Sequence, residues 1–217
     1  MPINKKVILN TDIVLIDIIG FSNFDSKQQL ELINFVTNTY RKMIAQMLQN
    51  SNMTLNKFIV GLVSTGDGFY CILNPRLQGY GAILGLSFSH LSDAISKKLN
   101  YFQGMKIAVH NTKVYEFKDL LGHSNFIGQG LHDCQGYLEF QDYSTSMVMI
   151  SDSAYVSFKK FLSLFKDFNT LLLEKGFKHS EQYTFKDVYL DEKKGTLIWL
   201  RESGIINPPN INFNSAI

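Results

Sequence analysis

Apolar residues crowd the first part of the chain: residues 7–19 are dense in Val, Ile and Leu and predict a buried strand. After Asp25 the period changes. Leu30, Ile33, Val36, Tyr40, Ile44 and Met47 recur every three or four residues, which predicts a long amphipathic helix with Asp25 or Ser26 as N-cap. "LNKFIVGLVSTGDGFYCIL" predicts two strands around a Gly-Asp-Gly turn. Residues 79–99 read as a helix despite Gly81 and Gly85, "MKIAVHNTKVYEF" as a strand, and "GQGLHDCQGYLEFQ" as a short helix. "SMVMIS" predicts a strand leading into a helix whose Tyr155, Phe158, Phe161 or Leu162, and Phe165 share a core-facing stripe. "YTFKDVYLDEKKGTLIWLRE" predicts a closing hairpin that turns at Lys193, Lys194 and Gly195, and "NPPNINFNSAI" has no period and reads as a tail. With no repeat or linker, this order predicts one domain, a mixed sheet covered by helices, of α+β or α/β class.

The 217 residues are 45% hydrophobic and carry a net charge of +2 with no basic block, which points away from nucleic acid and from a polybasic membrane surface. Asn10, Thr11, Asp12 and Asp17 interrupt any signal-peptide core, and no run approaches the ~20 apolar residues of a spanning helix. Two cysteines, Cys71 and Cys134, without a CxxC pattern suggest reduced thiols and a cytoplasmic location. Five histidines without close pairing argue against zinc.

The chemistry concentrates at two turns. Asp17 and Asp67 each lie where a predicted strand ends near glycine, and turns of neighbouring strands can converge at one edge of a sheet. Two carboxylates brought together there repel unless a cation lies between them, and Mg²⁺ binds one or two carboxylates plus substrate phosphate oxygens. Gly20, Phe21 and Ser22 lead into a helix, where free backbone N–H groups favour phosphate.

"VLIDIIGFSNF" and "STGDGFYCIL" resemble the two metal motifs of the class III nucleotidyl cyclases. "KIAVHNTKV", "GQGLHDCQG" and "FKDVYLDEKKGTLIWL" are similar to the family's later motifs in the same order, so that the resemblance covers residues 9–201. It implies an α+β fold with a mainly antiparallel sheet and a ferredoxin-like core, a catalytic domain over residues 1–201 and a tail over 202–217. It further implies a homodimer with two composite sites, each with two Mg²⁺ or Mn²⁺ on Asp17, Asp67 and the Ile18 carbonyl. A nucleoside triphosphate would be cyclised to a 3′,5′-cyclic nucleotide and pyrophosphate, with Gly20, Phe21 and Ser22 cradling phosphate, Lys186 contacting it and His132 at the transition-state position. The base-reading positions fall on Val63 and Asn125, which lack the purine-reading pair; this pattern is compatible with the pyrimidine (uridylate or cytidylate) cyclases of bacterial anti-phage signalling, whose product would act on a cyclic-nucleotide-responsive effector. Gly136 stands where the family has an arginine. The Gly-Gly-Asp/Glu-Glu-Phe signature of diguanylate cyclases is missing. His110 reads as a hydrogen-bonded structural residue, His90 and His123 as surface or core-edge residues, and Cys71 as a small buried hydrophobe.

Overall fold

The computed structural model describes residues 6–49, 52–140, 145, 147–164 and 176–200. Strand β1 (Lys6–Ile18) leads into helix α1 (Ser26–Leu48); a single turn, α2 (Leu55–Phe58), precedes the hairpin β2 (Ile59–Ser64) and β3 (Gly68–Leu73). Helix α3 (Tyr80–Ser96), the long strand β4 (Met105–Lys118), β5 (Ser124–Ile127), α4 (Gln129–Gly136), β6 (Met147–Ser151), α5 (Asp152–Leu164), β7 (Phe177–Lys186) and β8 (Glu192–Leu200) follow. The strands form one sheet in the order β2-β3-β1-β4-β6-β8-β7, with β5 added to β4. All pairs are antiparallel except β4 with β6. The first four strands on that path, with α1 and α3 as crossovers, make the expected ferredoxin-like core.

β1 lies inside the sheet and is buried on both faces, which is why it reads as an unbroken apolar run. Val14, Ile16 and Ile18 enter one core with Leu32, Val36, Tyr40 and Ile44 of α1 and with much of α3 and α5. Ile13 and Leu15 enter a second core on the opposite face, with Tyr70, Ala108, Phe126, Cys134 and Tyr137. Strand alternation therefore sends Asp17 to the second face, against which α4 and the residues 137–140 that follow it pack.

The start of α1 follows its sequence signal: Asp25 accepts from the Gln28 N–H at 2.8 Å while the Gln28 side chain accepts from the Asp25 N–H at 3.2 Å, a capping box. In α5, Phe158, Phe161 and Leu162 are buried as the stripe predicts, with Tyr155 packed at its edge; Phe165 lies outside the described residues, as does the tail.

The last hairpin turns earlier than expected. Lys193, Lys194 and Gly195 lie inside β8, and the turn spans residues 187–191. Asp187 makes that turn by accepting from the N–H groups of Tyr189 (3.0 Å) and Asp191 (2.9 Å), with Leu190 at φ 66°. Gly195 serves packing instead, since a Cβ there would stand 2.7 Å from the sulfur of Met149. Strand β5 gave no sequence signal of its own; its Phe126 ring fills the space that a Cβ on Gly61 of β2 would need.

Candidate active site

The register between β1 and β3 places Asp17 opposite Gly68, one residue beyond Asp67. The approach is close enough that a Cβ on Gly68 would overlap the Ile16 carbonyl oxygen, so this glycine is required where the second motif meets the first. Gly66, at φ 97°, takes the first central position of the β2–β3 turn, and the Thr65 N–H closes the turn on the Gly68 carbonyl at 3.0 Å. Thr65 also donates its hydroxyl to Asp67 Oδ1 at 3.1 Å, orienting an otherwise exposed carboxylate.

Asp17 is partly buried, and its pKa is pushed up to about 6. Burial is the largest cause, followed by the charge of Asp67; Lys106, its register partner on β4, acts in the opposite direction. Two carboxylates whose charges oppose one another at such close range favour a cation between them. The Ile18 N–H donates to the Asp67 carbonyl at 3.0 Å, so the carbonyl of Ile18 leaves the strand on the side of the same turn. Among the described residues no group of three or more His, Cys, Asp or Glu side chains is gathered for a metal. Two carboxylates and a backbone oxygen suit a hard cation that keeps positions open for water and phosphate, which fits Mg²⁺ or Mn²⁺.

Gly20, at φ 67°, turns the chain into a short 3₁₀ turn, Phe21–Asn23, closed by the Asn23 N–H on the Gly20 carbonyl at 2.9 Å. Gln29 fixes the turn by donating to the Phe21 carbonyl at 3.1 Å. Gly20, Phe21 and Ser22 thus follow directly on Asp17 at the same end of β1.

The other predicted site residues divide into two groups. Val63 lies on β2 opposite Tyr70 and packs against the second core, on the face that Asp17 shares. Asn125 sits beside Phe126, whose ring reaches β2 two residues from Val63, and its own side chain accepts from the Phe126 N–H at 2.8 Å. His132 is exposed on α4. Lys186 ends β7, opposite Glu192 of β8. Following the register through β4, β6 and β8 puts Lys186 about four strand spacings (~19 Å) across the sheet and about seven residue rises (~23 Å) along it from Asp17. One chain therefore does not bring Lys186 to its own Asp17.

Several neighbours of the site carried no sequence motif. Tyr70 donates its hydroxyl toward the Leu131 carbonyl (3.2 Å) and Gln135 Oε1 (3.3 Å), tying α4 to the strand that follows Asp67. Lys106 donates to the Leu138 carbonyl at 3.1 Å. The only available signal for Lys106 was a lysine inside an apolar strand. His110 bonds Ser151 Oγ at 2.9 Å and faces Tyr137; burial lowers its pKa to about 4, so it is neutral and structural. Cys71 is fully enclosed and its thiol is pushed up to about 12 by burial, and His90 and His123 are exposed.

No family model matches the chain, and no curated protein matches it. Solved structures do. The guanylate cyclase domain of RhGC from Catenaria anguillulae, in complex with GTP, superposes with a TM-score of 0.63 at 12% identity, over 91% of this chain and 100% of that one. The catalytic core of a rhodopsin-guanylyl cyclase with converted specificity, in complex with ATPαS, gives the same values. A bacterial light-regulated adenylyl cyclase gives 0.58 at 9% identity, over 99% of this chain and 56% of that one.

Proposed function

We propose that this chain, which carries the fold of the class III cyclase catalytic domains, is a nucleotidyl cyclase that works as a homodimer. The observation that carries the reading is the Asp17 and Asp67 pair, placed side by side by the β1–β3 register with Asp17 raised to about 6. Asp17, Asp67 and the Ile18 carbonyl would hold two Mg²⁺ or Mn²⁺. When bound, these ions supply charge neutralisation for the triphosphate and a lowered pKa for the ribose 3′-hydroxyl. The backbone N–H groups of Gly20, Phe21 and Ser22 take phosphate oxygens beside them. Lys186 and His132 are presented to the site of the second subunit, a division supported by the separation of Lys186 from Asp17 within one chain. The attacking 3′-oxygen forms the new bond to the α-phosphorus as the bond to pyrophosphate breaks, and the residues contribute mainly position and charge.

The substrate proposed is UTP or CTP. Val63 offers no hydrogen bond to a purine edge, and Asn125 offers an amide that can donate and accept. The cyclic product would be a second messenger for an effector in anti-phage defence. A second reading, a catalytically silent nucleotide-binding dimer, draws on Gly136, where Asp187 and Lys193 leave no room for a side chain. Adenylyl cyclisation with an unusual base pocket is a third outcome, separable by the same assay.

Purified protein incubated with each ribonucleoside triphosphate plus Mg²⁺ or Mn²⁺ is expected to release a 3′,5′-cyclic pyrimidine nucleotide, lost in Asp17→Ala and Asp67→Ala. Product from ATP alone overturns the pyrimidine assignment, and no product under any combination supports the silent reading. The composite site has its own test. Asp17→Ala and Lys186→Ala proteins, each weak alone, are expected to recover about a quarter of wild-type activity when mixed, because half of randomly paired dimers then contain one intact site.

A further inference from the structure

We infer that Lys193 is a positioning residue that locks α4 to the turn between β7 and β8, fixing His132 and Lys186 relative to one another. The inference rests on the reading above, in which those two groups face a substrate. Lys193 sits within β8 opposite Phe185 and is only 7% exposed. Its Nζ donates to Asp133 Oδ1 of α4 at 2.9 Å and lies 3.4 Å from Asp187 Oδ2. Asp133 is the residue after His132, and Asp187 is the residue after Lys186. One ammonium therefore spans the immediate neighbours of both groups.

The joint is specified from both sides. Asp187, 5% exposed, uses its other oxygen to accept from the Tyr189 and Asp191 N–H groups, so the carboxylate that meets Lys193 also shapes the turn. Gly136 completes the fit: a Cβ there would stand 2.7 Å from Asp187 Oδ2 and 2.9 Å from Lys193 Cε. Helix α4 can thus approach the turn only where residue 136 has no side chain. Burial opposes the Lys193 charge, but the hydrogen bond to Asp133 and the charges of Asp133 and Asp187 raise its pKa. Burial likewise opposes ionisation of Asp133, yet its hydrogen bond from Lys193 lowers its pKa, so the pair stays charged through neutral pH. A buried, doubly paired cation fixes direction as well as distance, which an apolar contact at the same place does not.

A double-mutant cycle in the cyclisation assay, normalised to folded dimer by circular dichroism, tests this. Lys193→Met and Lys186→Ala are each expected to lower kcat by about 10-fold or more, and the double variant to lose no more than about 3-fold beyond the weaker single, because one acts through the other. Losses that multiply overturn the inference. Asp133→Asn keeps the Lys193–Asp187 pair and guards against a folding failure; paired with His132→Ala it is expected to show the same non-additivity, and multiplying losses there count equally against it. If the wild-type protein turns over no nucleotide, the cyclase reading fails by itself, and hydrogen exchange decides the joint. Lys193→Met is then expected to speed exchange in both residues 129–136 and 187–191 while β1 and β3 stay unchanged; protection retained in either segment overturns it.

Discussion

Asp12 and Asp17 lie on the same strand, on opposite faces of the sheet, and the fold treats the two carboxylates in opposite ways. Asp12 is 1% exposed, and both of its oxygens are occupied: Oδ2 accepts from the Gly79 and Gly81 N–H groups at 2.8 and 2.9 Å, Oδ1 from the Asn111 amide at 2.7 Å. It stands at the start of α3, where a negative group complements the unpaired N–H groups of a helix. Asp17, partly exposed, is met by a second carboxylate; burial, Asp67 and Glu139 work against its charge, and Lys106 opposes them. The difference teaches how to tell a structural acid from a functional one within the same apolar run. The structural acid has donors that use up its lone pairs; the acid proposed to bind metal meets a second carboxylate instead.

The comparison makes its largest prediction in activity. Asp17→Asn and Asp67→Asn are each expected to lower turnover by about 10³-fold or more while leaving the fold intact and the melting temperature unchanged or higher, since each relieves a repulsion. Asp12→Asn is expected to behave inversely, with turnover per folded molecule unchanged and unfolding free energy lower by about 1–3 kcal/mol, because an amide has one acceptor oxygen where both oxygens of Asp12 accept from Gly79, Gly81 and Asn111. Urea titrations alongside kinetics check both; equal destabilisation by the variants at 12 and 17 would erase the distinction.

A smaller effect lies in pH. The folded-state pKa of Asp17, about 6, is above the ordinary value of an aspartate, so this group favours the folded state most below the unfolded value and loses that contribution as pH rises through 6. Metal-free protein is therefore expected to gain on the order of 1–3 kcal/mol from this group between pH 7 and pH 4, with solvent screening setting the lower end. Asp12 is raised as well and contributes in the same direction, so the measurement is the part of the pH dependence that Asp17→Asn removes. Mg²⁺ is expected to flatten it from the other side, since a cation favours the ionised pair. The smallest effect is that of Tyr70→Phe, which unties the β3 side of α4 at a cost of about 1 kcal/mol and leaves metal affinity unchanged, as read by thermal melts with and without Mn²⁺.

Much of the fold was legible because its signals are local. The N-cap at Asp25, the period of α1, the Gly-Asp-Gly turn and the aromatic stripe of α5 each depend on residues within a few positions of one another. The hairpin turn at 187–191 was missed for a physical reason: Asp187 builds it with a side chain, while the lysines and glycine that imitate a turn are used for an ion pair and for close packing against Met149. The short strand β5 was missed because its four residues are held by β4 and by the space above Gly61, neither of which is encoded nearby.

By itself the sequence determined most of the elements and the candidate metal carboxylates, because apolar period, turn glycines and an acid at the end of a buried strand are properties of neighbouring residues. Only the tertiary structure decided which acids meet. Register sets Asp17 against the turn of Asp67, sends Asp12 to the other face, and carries Lys186 to the far end of the sheet, away from the site of its own chain. It also brought Lys193 between Asp133 and Asp187. Pairings of this kind join residues tens of positions apart, and their energy lies in burial and charge that exist only after the strands have found one another.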